Sequence, residues 1–204
     1  MVAFSAGFMI SVALLDLIPE SLATQGKYGA LYVLSGYLLV HLTQHTFAPH
    51  FHFGEETHHV TKVTSFSALV GLLLHTFIDG VAIVSAFAVT PALGMLVFLA
   101  ILFHKLPEGL AISSLFLASG ESRGRALAAG GALALATMVG ALLTRQIGVL
   151  TNFGLPLAGG VTLYVGASNL VPEFQGKRGL HLPLGFFVGC ALYFVTRRAL
   201  EGGF

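Results

Sequence analysis

The chain has 204 residues, of which 55% are hydrophobic and only 9% are Asp, Glu, Lys or Arg, against about 25% charged in an ordinary soluble domain. A mean hydropathy of +0.86 excludes a soluble enzyme, because so few charges cannot cover a folded surface in water. A net charge of +1 provides no basic patch to neutralise phosphates and excludes a nucleic-acid partner. The composition is that of an all-α, polytopic helical membrane protein embedded in a lipid bilayer, with residues 1–204 forming a single transmembrane domain. The lone Cys190 cannot close an internal disulfide. Trp is absent, so any interfacial aromatic belt comes from Tyr and the 17 Phe.

A helix needs about 20 mostly apolar residues to cross the hydrocarbon core. The gaps between charges and turn residues predict seven spans, beginning with Val2–Ile18 and Tyr28–Phe47. The first is uncharged until Asp16 and ends in Pro19-Glu20. It lacks the basic start and small-residue cleavage site of a removable leader. Between the second and third spans lies a polar connection, 48–62, containing His50, His52, His58 and His59 with Glu55 and Glu56. Such a tract can hold a divalent metal loosely; the plainer reading is a solvated loop or part of a variable linker. The remaining spans are Val63–Val89, Ala92–Ser119, Ala126–Ile147, Phe153–Val171 and Gly179–Thr196. Five cations (Lys62, Arg123, Arg125, Lys177, Arg178) fall on the side of the His-rich loop and four (Lys27, Arg145, Arg197, Arg198) on the other. The positive-inside rule therefore places that loop in the cytoplasm.

Two internal repeats emerge. His75-Thr-Phe-Ile-Asp79-Gly-Val-Ala-Ile83 in the third span is echoed by His104-Lys-Leu-Pro-Glu108-Gly-Leu-Ala-Ile112 in the fourth. Asp16-Leu-Ile-Pro-Glu20 in the first is echoed by Asn169-Leu-Val-Pro-Glu173 in the sixth. Paired motifs in the middle and near both ends are the mark of a transporter with pseudo-two-fold symmetry.

Ionisable groups inside a membrane cost about 2.5–3.5 kcal/mol each, yet His75, Asp79, His104, Lys105 and Glu108 all lie in two adjacent spans. His75 and Asp79 are four residues apart, as are His104 and Glu108, so each pair shares one helical face. Two facing helices then offer two imidazoles and two carboxylates to one point, a donor set suited to Zn²⁺, with Fe²⁺, Mn²⁺ and Cd²⁺ as alternatives. The bland alternative is a structural ion-pair network in which Lys105 neutralises Asp79 or Glu108; repetition of the His-x-x-x-acid pair favours metal. Pro107 frees the carbonyl of Phe103, and Gly80 and Gly109 leave room for neighbouring helices. Ser113 and Ser114 are expected to satisfy carbonyls one turn back.

The two central segments resemble the signature helices, fourth and fifth of eight, of the ZIP (Zrt/Irt-like) family of divalent metal transporters. The Pro-Glu ends resemble that family's second and seventh helices, and the resemblance covers nearly the whole chain. It implies a 3+2+3 inverted-repeat fold lacking the family's first helix. It implies that His75, Asp79, His104 and Glu108 are the ligands of the main transport site. Thr76 stands where many members have Asn, and Lys105 where many have an acidic residue. Those neighbours build a second site in binuclear members, so a single metal is expected here. The resemblance further implies an elevator in which 63–147 carries metal past scaffold-like helices 1–48 and 153–204, with the His-rich loop at 49–62. It also implies a homodimer in the plasma membrane moving the ion toward the cytoplasm. Glu20, Glu173, His41 and His45 are candidate pathway residues, with helix-end capping and interfacial anchoring as their alternative roles.

Two rivals use the same residues. A membrane-embedded zinc-dependent hydrolase would attack substrate with a metal-bound water, but it does not explain the repetition and no H-E-x-x-H is present. A seven-helix retinal-type receptor built on Lys105 would place its lysine in the last helix beside Trp.

Overall fold

A computed structural model describes residues 1–47, 60–175, 177 and 179–202; His50, His52, His58 and His59 lie outside them. Among the described residues the chain forms seven helical rods and no strand. Rod α1 comprises Val2–Val12, a π-helical Ala13–Leu17 and a resumed α-helix Ile18–Gln25. Then follow α2 (Gly29–Phe47), α3 (Lys62–Val89), α4 (Pro91–Ala118) and α5 (Arg123–Gln146). Rod α6 repeats the construction of α1, with Gly148–Tyr164, a π-helical Val165–Leu170 and the short helix Pro172–Gln175. The last rod, α7, is His181–Leu200.

Five stretches are long and apolar enough to cross a membrane: Val2–Thr46, Lys62–Val89, Pro91–Ala118, Arg123–Gln146 and Gly148–Gln175. The first holds both α1 and α2, which fold back on one another at Gly26, where φ is +53°. A Cβ on Gly29 would lie 2.5 Å from the carbonyl of Ser21, so the turn is tight. Rod α7 is not among the five, its apolar run being diluted by His181, Pro183 and the Arg197-Arg198 pair. The seven expected spans therefore correspond to seven rods, six of them within these stretches.

Local chemistry sets most boundaries. Thr61, Thr90 and Ser122 each accept a hydrogen bond from the backbone N–H three residues on, at 3.1, 3.1 and 3.3 Å, and so cap α3, α4 and α5. Pro91 occupies the first position of α4, where no N–H is required. The first rod runs past its expected end at Ile18. The helix resumes there after the π turn, leaving Pro19 in a first turn where its missing N–H is harmless.

The Pro-Glu repeat proves far longer than its five residues. A constant offset of 153 relates Asp16 to Asn169 and also Gly26 to Gly179. Both glycines have positive φ and both end a Pro-containing segment. The same offset relates Gly7 to Gly160 and Gly36 to Gly189. Each of these four sits against a partner backbone, because a Cβ would fall on the carbonyls of Phe186, Val33, Leu157 and Phe4 respectively. Thus α1 meets α7 as α6 meets α2, each through a reciprocal glycine pair that lets the two backbones touch. A third reciprocal pair, Gly80 and Gly140, joins α3 to α5 against the carbonyls of Thr137 and Phe77.

Apolar packing falls into two clusters. The larger draws Phe8, Val12, Ile78, Ile101, Val161 and Tyr193 from α1, α3, α4, α6 and α7. The smaller gathers Leu72, Ile112, Phe116 and Leu133 from α3, α4 and α5. The central repeat lies where they meet: along α3, His75 and Asp79 flank Ile78 just beyond Leu72, and along α4, His104 and Glu108 lie between Ile101 and Ile112.

Candidate metal centre

Facing one another, α3 and α4 bring His75, Asp79, His104 and Glu108 together, with one donor atom from each residue inside a 4.8 Å span. All four are buried, at 2, 2, 2 and 5% exposure. His104 Nε2 lies 3.3 Å from Asp79 Oδ2, His75 Nε2 lies 3.4 Å from Glu108 Oε1, and His75 Nε2 lies 3.6 Å from Asp79 Oδ2. Tetrahedral ligands at about 2.0–2.1 Å from Zn²⁺ are roughly 3.3–3.4 Å apart. The His104–Asp79 and His75–Glu108 separations match that figure and the His75–Asp79 separation is slightly longer.

The second nitrogen of His104 is oriented by the protein, Nδ1 lying 2.9 Å from the carbonyl of Ala100. That contact leaves Nε2 as the outward donor. Two atoms of the cluster are buried without a hydrogen-bond partner: His75 Nδ1 and Glu108 Oε1. A buried carboxylate oxygen with no donor is expensive, and Oε1 points at His75, where a cation would satisfy it.

Lys105 completes the arrangement. Its ammonium donates to Asp79 Oδ2 at 2.6 Å and to Glu108 Oε2 at 2.8 Å, with 21% of the side chain exposed. The ion-pair network and the metal donor set are therefore one structure, because Lys105 bridges both carboxylates. Two negative carboxylates share one positive ammonium, and the oxygen it holds most tightly is the one nearest His104. A divalent ion held by these four residues would supply two positive charges to the carboxylates and would compete with Lys105 for Asp79 Oδ2.

Thr76 is fully buried, and its hydroxyl donates to the carbonyl of Leu73 at 3.1 Å. Glu20, Glu173, His41 and His45 stand on α1, α6 and α2 and are not part of the four-donor cluster. The His41 and His45 rings lie 4.1 Å apart, and His41 meets Tyr164 of α6 edge-on at 5.7 Å.

Three details differ from expectation. Gly109 has nothing within 4 Å of where a Cβ would sit, so unlike Gly80 its Cβ direction is open and close helix approach does not require glycine there. The Ser113 hydroxyl donates to the Ala126 carbonyl of α5 at 3.2 Å rather than one turn back, because α5 begins alongside it. The carbonyl of Phe103, freed by Pro107, is already satisfied: the Ser5 hydroxyl of α1 donates to it at 2.8 Å. The sequence reading passed over Ser5, and a serine in an apolar helix near the proline's depth was the available signal.

Residues 50–197 match the family described as ZIP Zinc transporter. Among curated proteins, the chain is 28% identical over 134 residues to "Zinc transporter SLC39A7" of Rattus norvegicus, covering 58% of this chain and 28% of that protein. It is 29% identical over 127 residues to the Homo sapiens protein of the same name, covering 55% and 26%. The aligned part of this chain spans little more than a quarter of those relatives' length.

Proposed function

This chain belongs to the ZIP family of zinc transporters, and from that premise we propose that it carries divalent transition-metal ions through the bilayer, Zn²⁺ foremost and Fe²⁺, Mn²⁺ or Cd²⁺ as other cargoes. The observation that carries this reading is the convergence of His75, Asp79, His104 and Glu108, with one donor atom from each inside a 4.8 Å span, buried between two apolar clusters. In this reading His75 and His104 supply neutral imidazole nitrogens, and Asp79 and Glu108 supply the charge that matches the ion. Lys105 holds the carboxylates when the ion has left, so the emptied site does not strand two bare charges at membrane depth. Thr76 and Lys105 provide no second set of anionic donors, and the site holds one ion.

Transport is of the elevator type, 63–147 moving against the scaffold 1–48 and 153–204. Delivery is toward the cytoplasm, by a homodimer in the plasma membrane. Glu20, Glu173, His41 and His45 line the route. A hydrolase reading fares worse at the same residues, since both carboxylates of the cluster serve as ligands and leave no general base for a metal-bound water.

The test is ⁶⁵Zn²⁺ uptake into proteoliposomes by the wild-type chain, His75→Ala and Glu108→Ala. Saturable uptake that falls at least tenfold in both variants is the expected result. Uptake equal in all three overturns the ligand assignment. Absence of uptake with one Zn²⁺ bound per chain, lost in the variants, retains the site and overturns transport by these 204 residues.

A further inference from the structure

Pro107 and Pro156 each orphan a carbonyl four residues back, and α1 satisfies both. Pro156 of α6 leaves the carbonyl of Asn152 without its helical N–H, and Gln25 Nε2 donates to it at 3.0 Å. Pro107 of α4 leaves that of Phe103, and Ser5 Oγ donates at 2.8 Å. The two bonds differ in what they join. Gln25 and Asn152 both lie outside the metal-centre helices, whereas Ser5 reaches into one of them.

The missing rung in α4 runs from residue 103 to residue 107, and it falls in the same turn as His104 and Glu108. In an unbroken helix the i,i+4 hydrogen bonds fix the distance between two such side chains. Here that turn lacks one of them, and the peptide joining Phe103 to His104 is held instead from α1. The hold is double. Ser5, 1% exposed, takes the carbonyl, and the Phe103 ring is met edge-on by Phe4 and Phe8 at 5.1 and 5.2 Å.

We infer that Ser5 is a positioning residue of the metal centre: by holding the Phe103 carbonyl that Pro107 leaves free, it fixes the turn that carries both His104 and Glu108. The inference rests on the proposed ligand set. It differs from a simple stability role, because the broken rung lies between two of the ligands and not elsewhere in α4. Removing the hydroxyl leaves the carbonyl without a donor and lets the turn open toward α1.

The experiment compares Zn²⁺ binding to purified wild type, Ser5→Ala, Ser5→Thr and Gln25→Ala in nanodiscs, by competition with a chromophoric chelator, alongside thermal melting in EDTA. Ser5→Ala loses a hydrogen bond within the protein interior and should melt earlier than wild type, whereas the Gln25 bond is exposed and water can replace it, so Gln25→Ala should melt close to wild type. Zn²⁺ should bind about fivefold or more weakly to Ser5→Ala while Gln25→Ala keeps wild-type affinity, and Ser5→Thr, which retains the hydroxyl, should restore most of it. Wild-type Zn²⁺ affinity in a Ser5→Ala protein that melts earlier overturns the inference and leaves Ser5 a structural cap. Equal weakening in Gln25→Ala also overturns it, because general loosening would then explain the loss. If the wild type binds no Zn²⁺ at all, the ligand set falls and the inference with it.

Discussion

Lys105 ties the two carboxylates of the central cluster together. Its ammonium touches both carboxylates, so removing it strands two negative charges among buried imidazoles and apolar side chains. Breaking a buried pair this way is strongly destabilising, moderated here by the side chain's partial exposure. Lys105→Ala is therefore expected to lower the melting temperature in EDTA by roughly 5 °C. The same variant should bind Zn²⁺ more tightly than wild type, since no ammonium competes for Asp79 Oδ2, and adding Zn²⁺ should recover the lost stability. Weaker Zn²⁺ binding in a chelator competition assay would show that Lys105 does not act as a counter-cation. Lys105→Glu exchanges the competing cation for a further carboxylate beside the same pair. Metal analysis of that variant is expected to give two Zn²⁺ per chain where wild type gives one, and an unchanged ratio would contradict the single-site explanation.

Rods meet through glycines, and the two glycines of the central repeat separate packing from helix propensity. A Cβ at Gly80 would fall on the Thr137 carbonyl of α5 and would lie 2.6 Å from the Ala141 nitrogen, whereas one at Gly109 meets nothing within 4 Å. Gly80→Ala must push α5 away next to Asp79, and it is expected to lower both the melting temperature and the Zn²⁺ affinity. Gly109→Ala should be neutral or stabilising by up to about 1 kcal/mol, since alanine favours an unobstructed helix interior. Equal effects in a thermal melt would mean that backbone entropy alone governs these positions. Between α4 and α5, Glu121 accepts from Arg125 at 2.6 Å and pairs with Lys62 of α3 at 3.2 Å. The hydrogen bond from Arg125 lowers its carboxyl below the ordinary value of 4.5. A depressed carboxylate contributes stability that is fully present above its unfolded value and is lost as pH falls through the folded one. Melting curves should accordingly separate wild type from Glu121→Gln equally at pH 7 and pH 5.5, and the gap should shrink below about pH 4.5. A gap that persists at pH 3 would show that the charge on Glu121 contributes nothing.

At the scale of the whole molecule, the offset of 153 residues that relates Gly7, Asp16, Gly26 and Gly36 to Gly160, Asn169, Gly179 and Gly189 accounts for how the outer rods pair. The same offset superposes the two π-helical segments ahead of Pro19 and Pro172. Five residues of this repeat were legible because Pro-Glu after an apolar run is a conspicuous string. The other matches are isolated residues within otherwise divergent apolar sequence, and the glycines Gly7, Gly36, Gly160 and Gly189 acquire meaning only when each is seen against a partner's carbonyl. The all-α membrane class, the rods and the four central donors followed from the sequence alone, because hydrophobic length and i,i+4 spacing are properties of one segment at a time. Tertiary structure alone decided which faces meet: that Lys105 spans both carboxylates, that Gly80 is packed while Gly109 is open, and that Ser5 and Gln25 cap the carbonyls left by Pro107 and Pro156. Each of these depends on how one rod is rotated and shifted against another. Several glycines and prolines set that rotation jointly through contacts between residues as far apart in the chain as Gly7 and Phe186, which no local pattern encodes.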